Sequence, residues 1–317
     1  MNIPDSLFKY SAYKDYSEKM IKTGSIYLCP GDKLDDQFEC LVDWSKYDNV
    51  TANKVYNLLK KQMKKKKIAV PDINIQKLYE GNKLNRENAR RILKISYKNI
   101  KPENVEKFLD YIDDLPSLVD SPEYHKYLEE VTSLNKKIGM FCMSSKNDSQ
   151  VMWATYANNS SGYCIEYDVK KALDENIISR NDILRVRYKY KRDADPIDLV
   201  LEFVISRLKS NKELNDNERD EIKKLVIDII STKPREWNFQ KEWRIVGKPE
   251  DESIILPIKA LYLGNKMDKK IKDILISACN ESVPIYEQKN DYVNLKISFE
   301  LIDRDKYIVG EETNSNE

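Results

Sequence analysis

The sequence predicts an α+β fold, a single mixed domain over residues 1–317 with a mainly antiparallel sheet and helical insertions. Three observations predict it. Short runs such as KIGMFCMSS, YCIEYD and EWRIVG alternate apolar and polar residues with the period of half-buried strands. Long Lys-rich stretches with helical apolar spacing interrupt them at about 48–135 and 196–230. No internal repeat and no long Gly/Ser- or Pro-rich linker divides the chain, which favours one domain over two.

Taken in order, LFKYS reads as a strand, Asp15 to Thr23 as a helix stopped by Gly24, and SIYLC as a second strand ended by the Pro30-Gly31-Asp32 turn. The helical stretch that follows places apolar residues at Leu93, Tyr97 and Ile100, then at Val105, Phe108, Leu109 and Ile112. Strands return with KIGMFCMSS. A helix near Ser149–Ala157, a turn at Asn158–Gly162 and the strand YCIEYD come next, followed by the alternating run ILRVRYKY. Two amphipathic helices precede EWRIVG, and IILPIKALYLG, a helix after Asp268, SVPIYEQ and YVNLKISFEL complete the pattern. The tail at 311–317 is polar and reads as disordered.

With 317 residues, 41% hydrophobic and 34% charged, the chain has enough apolar content for a core. Its formal net charge of +1 supplies no global field toward nucleic acid or anionic membrane. No membrane-length apolar run or secretory leader is evident, so a cytoplasmic protein is expected. The five cysteines are scattered without C-x-x-C spacing, and a structural zinc site is not expected. His125, the single histidine, reads as a surface residue, which removes Ser-His-Asp and Cys-His catalysis. Walker, G-x-G-x-x-G, H-E-x-x-H and G-x-S-x-G motifs are absent from the sequence.

Three aromatic-and-carboxylate segments carry the candidate chemistry: Leu7–Tyr13, Met152–Asp168 and Trp237–Val246. In the last, Gln240 and Glu242 are spaced to share one face of a strand, and Arg244 either pairs with Glu242 or anchors a ligand beside it. The bland alternative is an edge strand with alternating surface charges. In the middle segment Trp153 reads as core, while Tyr156 and the Ser144-Ser145 pair offer hydroxyls at a pocket rim. Glu166 reads as the solvent face of its strand. In the first segment Lys9 and Tyr10 point to opposite faces, leaving one of them to reach a phosphate. The turn LDDQFE offers Asp35, Asp36 and Glu39 to a cation but lacks calcium-loop spacing, and capping is the preferred role there. The basic run Lys64–Lys67, with Arg90, Arg91, Lys94 and Lys98, reads as a solvated face.

On these residues the chain resembles the bacterial family of domain of unknown function 2971. The resemblance rests on Leu7–Tyr10, the turn Leu34–Glu39, Trp153–Ala157 with Gly162–Tyr167, and Trp237–Arg244; the turn lacks the family's Asn and Pro, and Gln240 replaces its first Glu. At fold level the strand–helix–Gly–strand opening and the late E/Q-x-E segment are similar to ADP-ribosyltransferases. That similarity implies NAD as substrate, with Lys9, Tyr10, Ser144 and Arg244 in its seat, Tyr156 or Ser144 as the hydroxyl beside nicotinamide, Gln240 toward the acceptor and Glu242 as catalytic carboxylate. It also implies no metal, an acceptor that is a protein or a nucleic acid, and a role as a bacterial toxin or phage-defence effector. Two other readings stand beside it: a non-catalytic nucleotide- or peptide-binding module, and a metal-dependent nuclease using Asp35, Asp36 and Glu39.

Overall fold

The structure, a computed structural model, describes residues 2–34, 74–80, 83–96, 101–113, 122, 137–192 and 227–304. They fall in two compact units, one comprising residues 1–40, 135–191 and 230–317 and the other 41–134 and 192–229. Much of the expected insertions at about 48–135 and 196–230, and the tail at 311–317, lies outside the described residues.

The first unit opens with β1 (Ser6–Ser11) and α1 (Ser17–Thr23). Glu18 in the first turn and Lys22 in the last match the helix dipole, and Met20 and Ile21 are its buried side. Gly24 ends the helix at φ 73°, its N–H donating to the Met20 carbonyl. A Cβ there would stand 2.2 Å from the Leu256 carbonyl oxygen, so both the turn and the contact require glycine. The expected strand over SIYLC is shorter than predicted. Only β2 (Cys29–Pro30) pairs with the sheet, because the Ile26 and Leu28 amides are taken by the Ile254 and Asp251 carbonyls.

The second unit, described by itself, contains β3 (Tyr79–Glu80) paired with β4 (Lys83–Leu84), then α2 (Arg86–Ser96) and α3 (Pro102–Ile112). Pro102 sits in the first turn of α3, where its missing N–H costs no hydrogen bond. The apolar positions read from the sequence at Leu93, Val105, Phe108, Leu109 and Ile112 are buried. Arg90 is not a free basic residue, since its guanidinium pairs with Glu106 at 2.7 Å.

The chain returns to the first unit with β5 (Gly139–Ser144), α4 (Gln150–Thr155) and β6 (Tyr163–Asp168). Asn158, Asn159 and Ser160 all take positive φ in the intervening turn, a conformation that short polar side chains tolerate. α5 (Val169–Asp174), β7 (Ile183–Arg185), β8 (Arg187–Lys189), β9 (Thr232–Pro234), β10 (Glu242–Gly247), β11 (Ile258–Leu263), α6 (Lys269–Ala278), β12 (Ile285–Asp291) and β13 (Lys296–Leu301) follow. The main sheet runs β13-β12-β11-β6-β1-β5-β10-β7, with β2 added to β5. Its neighbours are antiparallel except β11 and β12. This is the mixed α+β fold with a mainly antiparallel sheet that the sequence predicts.

Both faces of the sheet are covered, and strand alternation sorts the residues between them. Leu7, Phe141, Ile165, Ile245 and Leu261 pack with Ile21 of α1 and Leu275 of α6. On the opposite face Tyr10, Cys164 and Tyr262 pack with Met152 and Trp153 of α4. Glu166 lies on this second face and is buried. It accepts from the Tyr262 hydroxyl at 2.7 Å and pairs with Lys259 at 3.0 Å, so the expected solvent-facing position is corrected. β10 is likewise no edge strand, because β5 and β7 flank it.

Candidate functional site

β5 has an incomplete neighbour on one side. Ser144 pairs with Phe8 of β1, and Met140 and Gly139 pair with Cys29 and Pro30 of β2, but Phe141, Cys142 and Met143 have no register partner on either strand. An unpaired carbonyl inside a protein needs another donor, and the Lys9 ammonium supplies one to Cys142 at 3.1 Å. The same ammonium lies 4.8 Å from the centre of the Phe141 ring.

A cavity of about 770 Å³ opens at this break, within the range of roughly 300–1,000 Å³ typical of small-molecule sites. Its lining includes Met20 and Phe141 from one sheet face and Met152, Tyr156 and Glu242 from the other. The cavity thus reaches both sides of the sheet through the gap between β1 and β5.

At its buried end stands a charged cluster. β10 carries Glu242, 4% exposed, and Arg244, 1% exposed, on the face opposite Trp243 and Ile245. One Glu242 carboxylate oxygen accepts from Arg244 Nε at 2.8 Å and the other from Lys233 Nζ at 2.6 Å. Lys233 also donates to the Gln240 side-chain Oε1 at 2.9 Å, and the Gln240 side-chain Nε2 donates to the Tyr156 hydroxyl oxygen. The backbone N–H of Glu242 donates to the Tyr188 phenol oxygen at 2.8 Å.

Lys233 owes its place to a local departure from the main sheet. The expected single run ILRVRYKY breaks at Val186, whose N–H donates to the Glu242 carbonyl, and β8 then pairs in parallel with β9. That ribbon sets Lys233 beside Tyr188 and at the cavity wall. Burial pulls the Lys233 ammonium down, but the adjacent Glu242 charge and hydrogen bond more than offset it, leaving its pKa above the usual lysine value. Burial pushes the Cys142 thiol well up, Glu242 adds to the rise, and the Lys9 and Lys233 charges oppose it. The net rise disfavours the thiolate form of Cys142 in the cavity wall.

The sequence-predicted residues distribute as follows. Lys9, Tyr10, Ser144, Tyr156, Gln240 and Glu242 all line the one cavity. Arg244 stands behind it, bonded to Glu242, to the Ile230 carbonyl and to the Met140 sulfur. Tyr10 is 4% exposed, donates its hydroxyl to the Lys146 carbonyl at 2.7 Å and meets Trp153 edge-on, which makes it a framework residue of the wall. The Ser144 hydroxyl accepts from the Lys146 amide. Gln240 is corrected in one respect: it does not lie on the strand with Glu242. It ends a 3-10 turn over Arg235–Gln240, and Lys241 at φ 45° reverses the chain before β10 begins. Their convergence comes from Lys233, which bonds both.

Sequence reasoning missed Lys233 and Tyr188. Neither belongs to a motif, and only the alternating run containing Tyr188 gave any signal. Asp35, Asp36, Glu39, His125 and Lys64–Lys67 lie outside the described residues. Among the described residues no group of three His, Cys, Asp or Glu side chains is arranged to hold a metal ion, and no helix is long and apolar enough to cross a membrane.

Residues 152–245 match the model of a family described as protein of unknown function (DUF2971). That stretch runs from α4 into β10 and so includes Tyr156, Lys233, Gln240, Glu242 and Arg244, the whole charged cluster. No curated protein and no solved structure matches the chain.

Proposed function

We propose that the cavity binds NAD and that the protein breaks the nicotinamide–ribose bond, passing ADP-ribose to an acceptor or to water. What supports the reading is that Lys9, Ser144, Tyr156, Gln240 and Glu242, drawn from three distant parts of the chain, line one cavity with aromatic walls. Lys9 gives a cation for the diphosphate, Tyr156 and Ser144 give hydroxyls beside nicotinamide, and Gln240 faces the acceptor. The bonding pair of the broken C–N bond leaves with nicotinamide, and the ribosyl cation is captured by an acceptor oxygen or nitrogen that then loses its proton. Glu242 acts through its charge and its hydrogen bond to the ribose. An ionised carboxylate accepts at about four sites, so pairing with Lys233 and Arg244 leaves room for a ribose hydroxyl. In this reading the protein works in the cytoplasm as a bacterial toxin or phage-defence effector that draws on cellular NAD.

Incubation with NAD and measurement of free nicotinamide tests it, with wild type beside Glu242→Gln. Release by the wild type and a fall of about 100-fold or more in the variant are expected. Equal release, or none from either protein, defeats the reading.

One observation favours a second possibility. Lys233 and Arg244 each pair with a Glu242 oxygen, so the carboxylate is largely spent on ion pairs and its field at a ribose is weakened. A non-catalytic nucleotide-binding module would show saturable NAD binding without nicotinamide release, and Glu242→Gln would alter affinity only.

A further inference from the structure

The first unit carries a second, smaller cavity of about 270 Å³ whose lining shares no residue with the first. It is bounded by α4, the Asn158–Gly162 turn and the β12–β13 hairpin. Two hydrogen bonds tie these walls together: Gln150 Nε2 donates to the Leu295 carbonyl at 2.8 Å, and the Lys266 N–H donates to the Ser160 carbonyl at 2.9 Å. A ligand would therefore meet a preformed recess.

Gln288 of β12 lines this recess. Its neighbour Glu287 bonds Lys272 of α6 on one face of the sheet, so Gln288 points to the other, the α4 side, with Phe299 as its register partner. The Gln288 side chain is an anomaly there. It is 2% exposed and its Nε2 donates to Asn290 Oδ1 at 3.2 Å, but its Oε1 is buried with no hydrogen-bond partner among the described residues. A buried carbonyl without a donor is costly, and the recess is where a donor can arrive. Asn159, Asn265 and Asn290 add further amides to the lining, and Tyr292, 82% exposed, joins them from the hairpin turn. Asp291 accepts from the Val293 and Asn294 amides and so fixes the turn that carries that ring.

We propose that this recess is a sugar-binding site, in which Gln288 Oε1 accepts a hydroxyl of a neutral saccharide ring, the asparagines bond its other hydroxyls, and Tyr292 packs against its C–H face. A hydroxyl both donates and accepts, as an amide-lined wall requires, whereas an anion would set negative charge against the Gln288 oxygen. Lys266 and Lys296 also line the recess, and their ammonium groups can donate to sugar oxygens. The site is separate from the NAD reading and requires no turnover.

The test is titration of the full chain with glucose, galactose, maltose, lactose and inorganic phosphate, followed by saturation-transfer NMR. Wild type is expected to bind at least one of the sugars. Gln288→Met is expected to weaken that sugar about tenfold while its urea transition persists, because an apolar side chain of similar length replaces an unsatisfied group. Tyr292→Ala, at an exposed position that leaves folding intact, is expected to weaken it severalfold. A disaccharide bound more tightly than its monosaccharide would support the end of a glycan chain as ligand, and a monosaccharide bound at least as tightly would support the free sugar. Binding of none of the sugars, binding of phosphate alone, or unchanged sugar affinity in either variant would overturn the proposal.

Discussion

At the scale of single residues, Glu242 is held by two cations at once, and the consequences of losing each partner differ. Lys233 and Glu242 are 6% and 4% exposed in their side chains, so removal of one leaves the other charged and poorly solvated. Lys233→Met leaves the carboxylate with Arg244 alone and strips Gln240 of the donor that fixes its amide. Breaking a buried pair from one side typically costs about 3–5 kcal/mol, and the remaining Arg244 contact sets the lower end as the expected value. The double variant Lys233→Met/Glu242→Gln removes both charges and is expected to recover much of that loss. Urea midpoints of the two variants check this. A double variant no more stable than the single would show that the ion pair is not the source of the effect. The same residues show the limit of the sequence. Glu242 and Arg244 were legible because their alternation with Trp243 and Ile245 marks a strand face. Lys233 was not, because a lysine followed by proline between two surface-like stretches carries no pattern until the ribbon of β8 and β9 folds it inward.

At the scale of elements, pairing decides which polar groups are buried. β6 and β11 sit side by side, and their contact buries Glu166 under Tyr262 and Lys259. Alternation along YCIEYD correctly separated Glu166 from Ile165 and Tyr167, yet it does not say whether the second face is solvated. α4 and the β12–β13 hairpin cover that face, and Phe299 meets both Trp153 and Tyr262. Burial raises the Glu166 carboxyl, but the hydrogen bonds from Tyr262, Ser6 and Lys259 and the Lys259 charge outweigh it, so the folded pKa lies below the ordinary 4.5. A depressed carboxylate gives stability that is fully present above its unfolded value and is lost as pH falls through the folded one. The Glu166 contribution therefore holds at neutral pH and disappears below about pH 4.5. Glu166→Gln is expected to be less stable than wild type at pH 7 and to converge on it toward pH 3. Urea midpoints across that window measure the convergence, and parallel curves for the two proteins would count against it.

For the whole molecule, strand order controls both the cavity and the dependence of the fold on its ends. Existence and type of most strands in the first unit followed from alternation, but the order in which they pair did not. β1 pairs with β5 and β6, more than 130 residues further along the chain, and no local pattern encodes such a distant partner. The break beside β5 arises from that order: β1 pairs with β6 along its whole length but meets β5 at one residue pair, and β2 pairs with β5 only at the far end. Because β1 is an interior strand, its loss does more than shorten an edge. It would uncover a long edge of β6, take Leu7 and Tyr10 from the two faces of the core, and remove one wall of the cavity together with Lys9. Deletion of residues 2–12 is therefore expected to abolish the cooperative urea transition, with Trp153 and Trp243 fluorescence shifting to the solvent-exposed maximum without denaturant. A truncated chain that still unfolds cooperatively would show that the sheet does not depend on this strand.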